Sequence, residues 1–156
     1  NVYVVTISTP VTISNEPDLT ELLSAAEVVG RHVRAGDTVI LESTVFPGLT
    51  EGIFAGKIMQ ISGLTAGKDF DLGYSPERIN PGDPLHRLQN IVKVISATDD
   101  KTLSLLHDIY SRIVPEGVHK AENIKTAELS KLIENTQRDI NIAFMNEMFQ
   151  LAEANQ

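Results

Sequence analysis

Lys131, Asn135, Arg138 and Asn141 follow one another at steps of four, three and three residues. At 100° per residue, Lys131, Asn135 and Arg138 fall within about 60° of one another on a helix surface. An ammonium, an amide and a guanidinium on one face can grip an anionic ligand, because both cations hydrogen-bond phosphate or carboxylate strongly. The opposite arc carries Leu132, Ile133, Ile140, Ala143 and Phe144. A helix of this pattern is expected to pack on its apolar side and present the polar groups. The spacing is equally consistent with an ordinary solvated face, with Glu134 and Arg138 at i, i+4 as a surface ion pair.

Three further groups carry potential chemistry. Thr9 and Thr44 each place a hydroxyl just past an apolar, strand-like run, with Pro10 and Pro47 close behind. Such hydroxyls can bond a ribose, a phosphate or a reacting water, or simply cap a turn. Glu77 sits between Pro76 and Arg78. It can serve as a general base if burial raises its pKa, or pair with Arg78. His32, His86, His107 and His119 show no ligand spacing, so no metal site is expected. No Gly-x-Gly-x-x-Gly occurs, and Gly63 to Gly67 follows a helical pattern rather than a strand, which excludes a phosphate cradle there.

The elements that must position these groups alternate along 156 residues, enough for one domain with a sizeable core. Val2 to Ile7, Thr38 to Leu41, Asp69 to Tyr74 and Ile91 to Ser96 read as strands, with a short one at Gly117 to His119. Helices are expected from Asp18, its N-cap, to about Arg34, from Thr50 to Ile61, from Asp99 to Ile113 with Thr98 or Asp99 as cap, and from about Asn123 onward. Near-continuous apolar strands alternating with helices predict an α/β fold with a mostly parallel sheet covered on both faces. Ligands of such sheets bind beyond the carboxyl ends of the strands. That rule marks Ser8-Thr9-Pro10, Glu42 to Gly48 and Ser75 to Gly82, with the polar face of the last helix as a fourth wall. Past Ile142 that helix is apolar all round, a pattern expected in a core or an interface.

Composition narrows the partners. A net charge of −8 argues against nucleic acid or an anionic membrane surface. The absence of cysteine removes disulfides, thiolate metal sites and a cysteine nucleophile from this chain, and permits a cytoplasmic location. No run approaches the 18 apolar residues of a membrane span. The chain opens without a methionine in a strand-like run and closes with a helical pattern still running, so a piece of a longer protein is expected.

Taken together, three strings resemble the UDP-glucose/GDP-mannose dehydrogenase family of nucleotide-sugar 6-dehydrogenases. They are Glu42-Ser43-Thr44-Val45-Phe46-Pro47-Gly48, Tyr74-Ser75-Pro76-Glu77-Arg78-Ile79-Asn80-Pro81-Gly82-Asp83 and Lys131-Leu132-Ile133-Glu134-Asn135-Thr136-Gln137-Arg138, with Ala127-Glu128 and Asn146-Glu147 flanking the last. The run from Ser75 through Arg78 to Pro81-Gly82 looks more like the branch acting on UDP-N-acetylhexosamines of the mannosamine, glucosamine or galactosamine type. The UDP-glucose branch usually carries phenylalanine where this chain has Arg78.

The resemblance implies a partial Rossmann-like sheet followed by a long central helix. Residues 1–122 would be the later part of an NAD-binding domain, and 123–156 the start of a helical dimerisation domain. It implies an enzyme that oxidises a sugar C6 alcohol to a carboxylate in two NAD-dependent steps, through a cysteine-bound intermediate, for surface polysaccharide precursors. Thr9 and Thr44 would contact NAD, with Thr44 near the reacting carbon. Arg78, the Ile79 backbone, Lys131, Asn135 and Arg138 would line the UDP-sugar site. Lys131 and Asn135 would act on developing oxyanions, and Glu77 would be the base for hydrolysis. The implied partners are the UDP-sugar and a second copy joined through the long helix. The cysteine and the glycine-rich fingerprint are both absent from this chain, so it is expected to be inactive alone. Two alternatives remain open: a β-hydroxyacid or phosphogluconate-type dehydrogenase, which also uses a Lys-x-x-x-Asn helix, and a non-catalytic dimerisation module.

Overall fold

The computed structural model describes residues 1–77 and 90–155. Three four-residue strands, β1 (Val2–Val5), β2 (Thr38–Leu41) and β3 (Asp71–Tyr74), lie side by side and parallel. β4 (Lys93–Ala97) then enters antiparallel to β3, and β5 (Val118–Lys120) runs parallel to β4, giving the spatial order β1-β2-β3-β4-β5. The register pairs Val5 with Leu41 and Leu41 with Tyr74. The three parallel strands therefore end in one row, and the loops that follow them start at the same level.

Alternation along β2 builds two cores. Val39 and Leu41 point into a cluster with Leu22, Ala26, Phe54 and Ile58, whereas Ile40 packs with Ile95, Leu106 and Tyr110. The first cluster lies under α1 (Thr20–His32) and α2 (Ala55–Ser62), the second under α3 (Asp100–Tyr110). A sheet sandwiched in this way buries its central strands on both faces, which is why all four residues of β2 are buried. α2 is preceded by a π-helical turn, Thr50–Phe54, and ends at Gly63, whose φ of 72° is the left-handed conformation a helix stop requires.

The last helix, α4, runs unbroken from Ile124 to Ala154. Asn123 caps it by accepting from the Thr126 amide at 2.8 Å, and Asp99 caps α3 in the same way through Thr102 at 2.8 Å. At α1 the expected Asp18 cap is displaced by one residue. Leu19 holds the cap position without a side-chain bond, while Asp18 accepts from the Thr20 amide at 3.0 Å.

The packing of α4 reverses the expectation from its sequence. Its buried residues are Ile124, Ala127, Glu128 and Lys131. Leu132, Ile133, Ile140 and Phe144 are exposed, the last three by more than half, and every described residue from Thr136 onward is exposed. A polar side chain is drawn inward here because donors wait for it, as set out below. The apolar arc has no covering element among the described residues.

Candidate active site

Backbone and side-chain bonds continue the sheet beyond its strands and stitch the three loops together. The Ser43 hydroxyl donates to the Ile7 carbonyl at 2.6 Å and accepts from the Ile7 amide at 3.0 Å. The Thr9 hydroxyl donates to the Thr44 carbonyl at 2.7 Å. On the other side the Ser75 amide bonds the Leu41 carbonyl at 3.0 Å, and the Glu77 amide bonds the Glu42 carbonyl at 3.3 Å. Thr9, Thr44 and Glu77 are thus fixed on adjacent loops of one sheet edge, as the strand-end rule predicts.

Two clefts open around these loops. One, of about 390 Å³, is walled by Thr9, Glu42, Thr44 and Glu77. The other, of about 470 Å³, is walled by Thr9 and Thr44 on one side and by Leu132 and Asn135 of α4 on the other. Thr9 and Thr44 form the partition between them. Lys131, buried to 8% exposure, stands one helical turn before Asn135. Arg138 lines neither cleft. Its guanidinium bonds Glu134 at 3.0 Å with about half of the side chain exposed, which is the surface ion pair that the i, i+4 spacing allowed. Arg78 and Ile79, together with Pro81 and Gly82, lie outside the described residues.

Beneath the first cleft lies a buried charge cluster that the sequence reading did not single out. The Lys93 ammonium, 1% exposed, sits 3.6 Å from Glu42 Oε1, 3.8 Å from Glu77 Oε2 and 3.4 Å from the Pro76 carbonyl. It also stands 5.4 Å from the centre of the Tyr110 ring, within cation–π range. The Tyr110 hydroxyl donates to Glu42. Burial, then the Glu42 bond and charge, push that phenol far above its ordinary range, so it remains a donor. Two carboxylates thus face the cleft against one ammonium set behind them. A cation inside the apolar run Ile91-Val92-Lys93-Val94-Ile95 was the available signal, since Lys is almost never fully buried unless paired.

Glu128 is a further buried charge that the sequence reading did not single out. It is fully buried and accepts three bonds: from the Gly48 amide at 2.5 Å, the Thr50 amide at 3.0 Å and the Thr50 hydroxyl at 2.6 Å. These donors are the open N-terminus of the π turn and α2, where amides lack intrahelical acceptors and favour an anion. Its signal was the three-residue step to Lys131, which puts both side chains on one face.

Chemically, the assembly offers carboxylates on one side of Thr44 and the Asn135 amide on the other, while the buried Lys131, one turn before Asn135, lines neither cleft. Among the described residues no cluster could hold a metal ion.

Comparison with known proteins covers both the sheet and the long helix. Residues 1–114 match the UDP-glucose/GDP-mannose dehydrogenase family, NAD binding domain, and residues 125–156 match the central domain of the same family. The UDP-N-acetyl-D-glucosamine 6-dehydrogenase of Salmonella typhi is 49% identical over 148 residues, covering 95% of this chain and 35% of that protein. Protein CapL of Staphylococcus aureus is 50% identical over 145 residues, covering 93% and 34%. The solved UDP-D-ManNAc dehydrogenase of Pyrococcus horikoshii superposes with a TM-score of 0.85 at 36% identity, over 94% of this chain and 34% of that one. The chain spans about a third of the length of the curated relatives it matches.

Proposed function

The chain belongs to the UDP-glucose/GDP-mannose dehydrogenase family, and from that premise we propose that it forms the catalytic middle of an NAD-dependent UDP-N-acetylhexosamine 6-dehydrogenase. In this reading residues 1–122 complete an NAD-binding domain and residues 123–156 begin a central helical domain. The enzyme oxidises the sugar C6 alcohol to a carboxylate in two steps, supplying surface polysaccharide precursors. The observation that carries the proposal is the partition: Thr9 and Thr44 wall both the cleft with Glu42 and Glu77 and the cleft with Asn135. A cofactor on one side and a sugar on the other would meet at Thr44.

The first cleft suits the nicotinamide and ribose end of NAD. Thr9, Ser43 and Thr44 line it, and Glu42 and Glu77 disfavour a phosphate while favouring a cationic ring. When bound there, NAD would take up the hydride. On the other side Lys131 and Asn135 stabilise negative charge developing on oxygen, in both the oxidation and the hydrolysis of the cysteine-bound intermediate. Glu77 activates the hydrolytic water, held at the rim by its bond to the Glu42 loop and by Lys93. Arg78, the Ile79 backbone and Arg138 contact the UDP-sugar. Arg138 meets the nucleotide only if it exchanges Glu134 for pyrophosphate, a stronger partner for guanidinium than a screened surface carboxylate. The bare apolar arc of α4 supports a homodimer, and the cytoplasm, where NAD and UDP-sugars are made, is the proposed compartment.

The test is a substrate panel on the full-length protein that carries this chain. UDP-N-acetylglucosamine, UDP-N-acetylmannosamine, UDP-N-acetylgalactosamine and UDP-glucose are compared by NADH formed per sugar. Two equivalents with an N-acetylhexosamine and little turnover of UDP-glucose are expected. One equivalent would refute the two-step reading, and none with any UDP-sugar would refute the activity. The isolated 156 residues are expected to form no NADH. Turnover by them would mean that the nucleophile and the glycine-rich loop are dispensable.

A further inference from the structure

Glu128 is the one buried carboxylate of α4, and the donors it satisfies belong to the loop that carries Thr44. The geometry points to Glu128 as a positioning residue that locks the Thr44 loop to the Lys131–Asn135 face of α4. This inference rests on the active-site reading above and adds a residue to it. Three facts carry it. Glu128 bridges residues 78 and 80 positions away in sequence through bonds to Thr50 and Gly48, so it is a tertiary tie rather than a local cap. Thr44 lies four residues before Gly48, with Val45 and Leu49 of the same loop buried in the core. On the helix, Glu128 precedes Lys131 by one turn and points within about 20° of Asn135.

The chemistry of the tie is selective. An ionised carboxylate only accepts, which matches two amides and a hydroxyl. Glutamine at this position turns an NH₂ group against one of those donors, so a near-isosteric change breaks the match. Burial, then the charge of Glu128, also push the pKa of the neighbouring Tyr74 phenol above its ordinary range, which keeps a second negative charge from forming beside the tie. With Glu128 in place, the Thr44 side of the partition cannot drift from the Lys131–Asn135 side. A relative slip of about 1 Å is enough to cost roughly 100-fold in rate.

The experiment compares Glu128→Gln, Thr50→Val and Thr50→Ser with the wild type in the full-length dehydrogenase. Glu128→Gln is expected to lower kcat about 10- to 100-fold while KM for the UDP-sugar stays within about two-fold. Thr50→Val should fall between it and the wild type, and Thr50→Ser, which restores the hydroxyl, should recover the rate. Hydrogen exchange over residues 44–50 is expected to quicken in Glu128→Gln, a readout independent of turnover. The inference is overturned if exchange over 44–50 is unchanged. It is overturned equally if both variants lose thermal stability but keep kcat, since Glu128 would then be a structural cap alone. A wild type that reduces no NAD with any UDP-sugar removes the active-site reading and this inference together, whereas an active wild type beside unaffected variants removes only the inference.

Discussion

Lys131 and Asn135 act, in the proposed site, on charge that exists only during reaction. Replacing either is therefore expected to lower kcat far more than it raises KM. For Lys131→Met or Asn135→Ala the expected loss in kcat is about 10²- to 10³-fold, the usual consequence of deleting one oxyanion donor. Steady-state NADH formation with saturating UDP-N-acetylhexosamine checks it. Lys93 is a different case, because its role is to neutralise rather than to react. Lys93→Met leaves Glu42 and Glu77 facing each other without their shared cation. Both carboxylates keep some access to water, 16% and 41% exposed, so the expected loss of stability is about 1–3 kcal/mol, below that of a fully buried broken pair. Denaturant unfolding measures it, and Lys93→Arg, which keeps the charge and the stacking on Tyr110, should recover part of the loss.

At the scale of elements, the caps offer a pH-dependent test. The Thr102 amide and hydroxyl both donate to Asp99, at 2.8 and 3.1 Å, and hold its carboxyl below the ordinary aspartate range. A pKa lowered on folding contributes stability that is present above the unfolded value near 3.8 and fades as pH falls through the folded one. Asp99→Ala should therefore cost about 1 kcal/mol at pH 7 and progressively less below pH of about 4, read from paired unfolding curves. This cap was legible in the sequence, as were β2 and the start of α4, because each rests on a local signal: an Asp or Asn before a periodic run, or the apolar run Val39-Ile40-Leu41. The face of α4 was not legible. Hydrophobic spacing pointed Leu132 and Ile133 inward, but the donors that draw Glu128 into the core sit about 80 residues away and leave no trace in the helix's own pattern. For the same reason the loop hydroxyls Thr9 and Thr44 were found, at strand ends, while the Lys93–Glu42–Tyr110 cluster emerged only when three distant elements were brought together.

For the molecule as a whole, the exposed surface of α4 sets the expectation. Ile140, Phe144 and Leu151 on one side of the rod, and Ile142, Met145 and Phe149 on the other, are each more than half exposed, apolar surface of the kind that marks an interaction site. In the proposed homodimer this distal half of the helix packs against its copy. Phe149→Glu in the full-length enzyme is expected to shift sedimentation from dimer toward monomer at micromolar concentration, since a charge buried in such a contact is strongly disfavoured. An unchanged dimer would place the interface elsewhere. The family assignment itself drew on the combination of three strings in order along the chain, and the match over both domains bears out that use of the sequence.

The unbroken course of α4 has a mechanical consequence. Taking Glu128 as the fulcrum, Asn135 lies about 10 Å along the rod and Ala154 about 39 Å. A sideways push of 4 Å at the far tip, transmitted by a stiff rod, therefore reaches Asn135 as a shift of about 1 Å. Events at the distal end are geared down roughly four-fold, yet what survives is still the size of displacement to which catalytic rates respond.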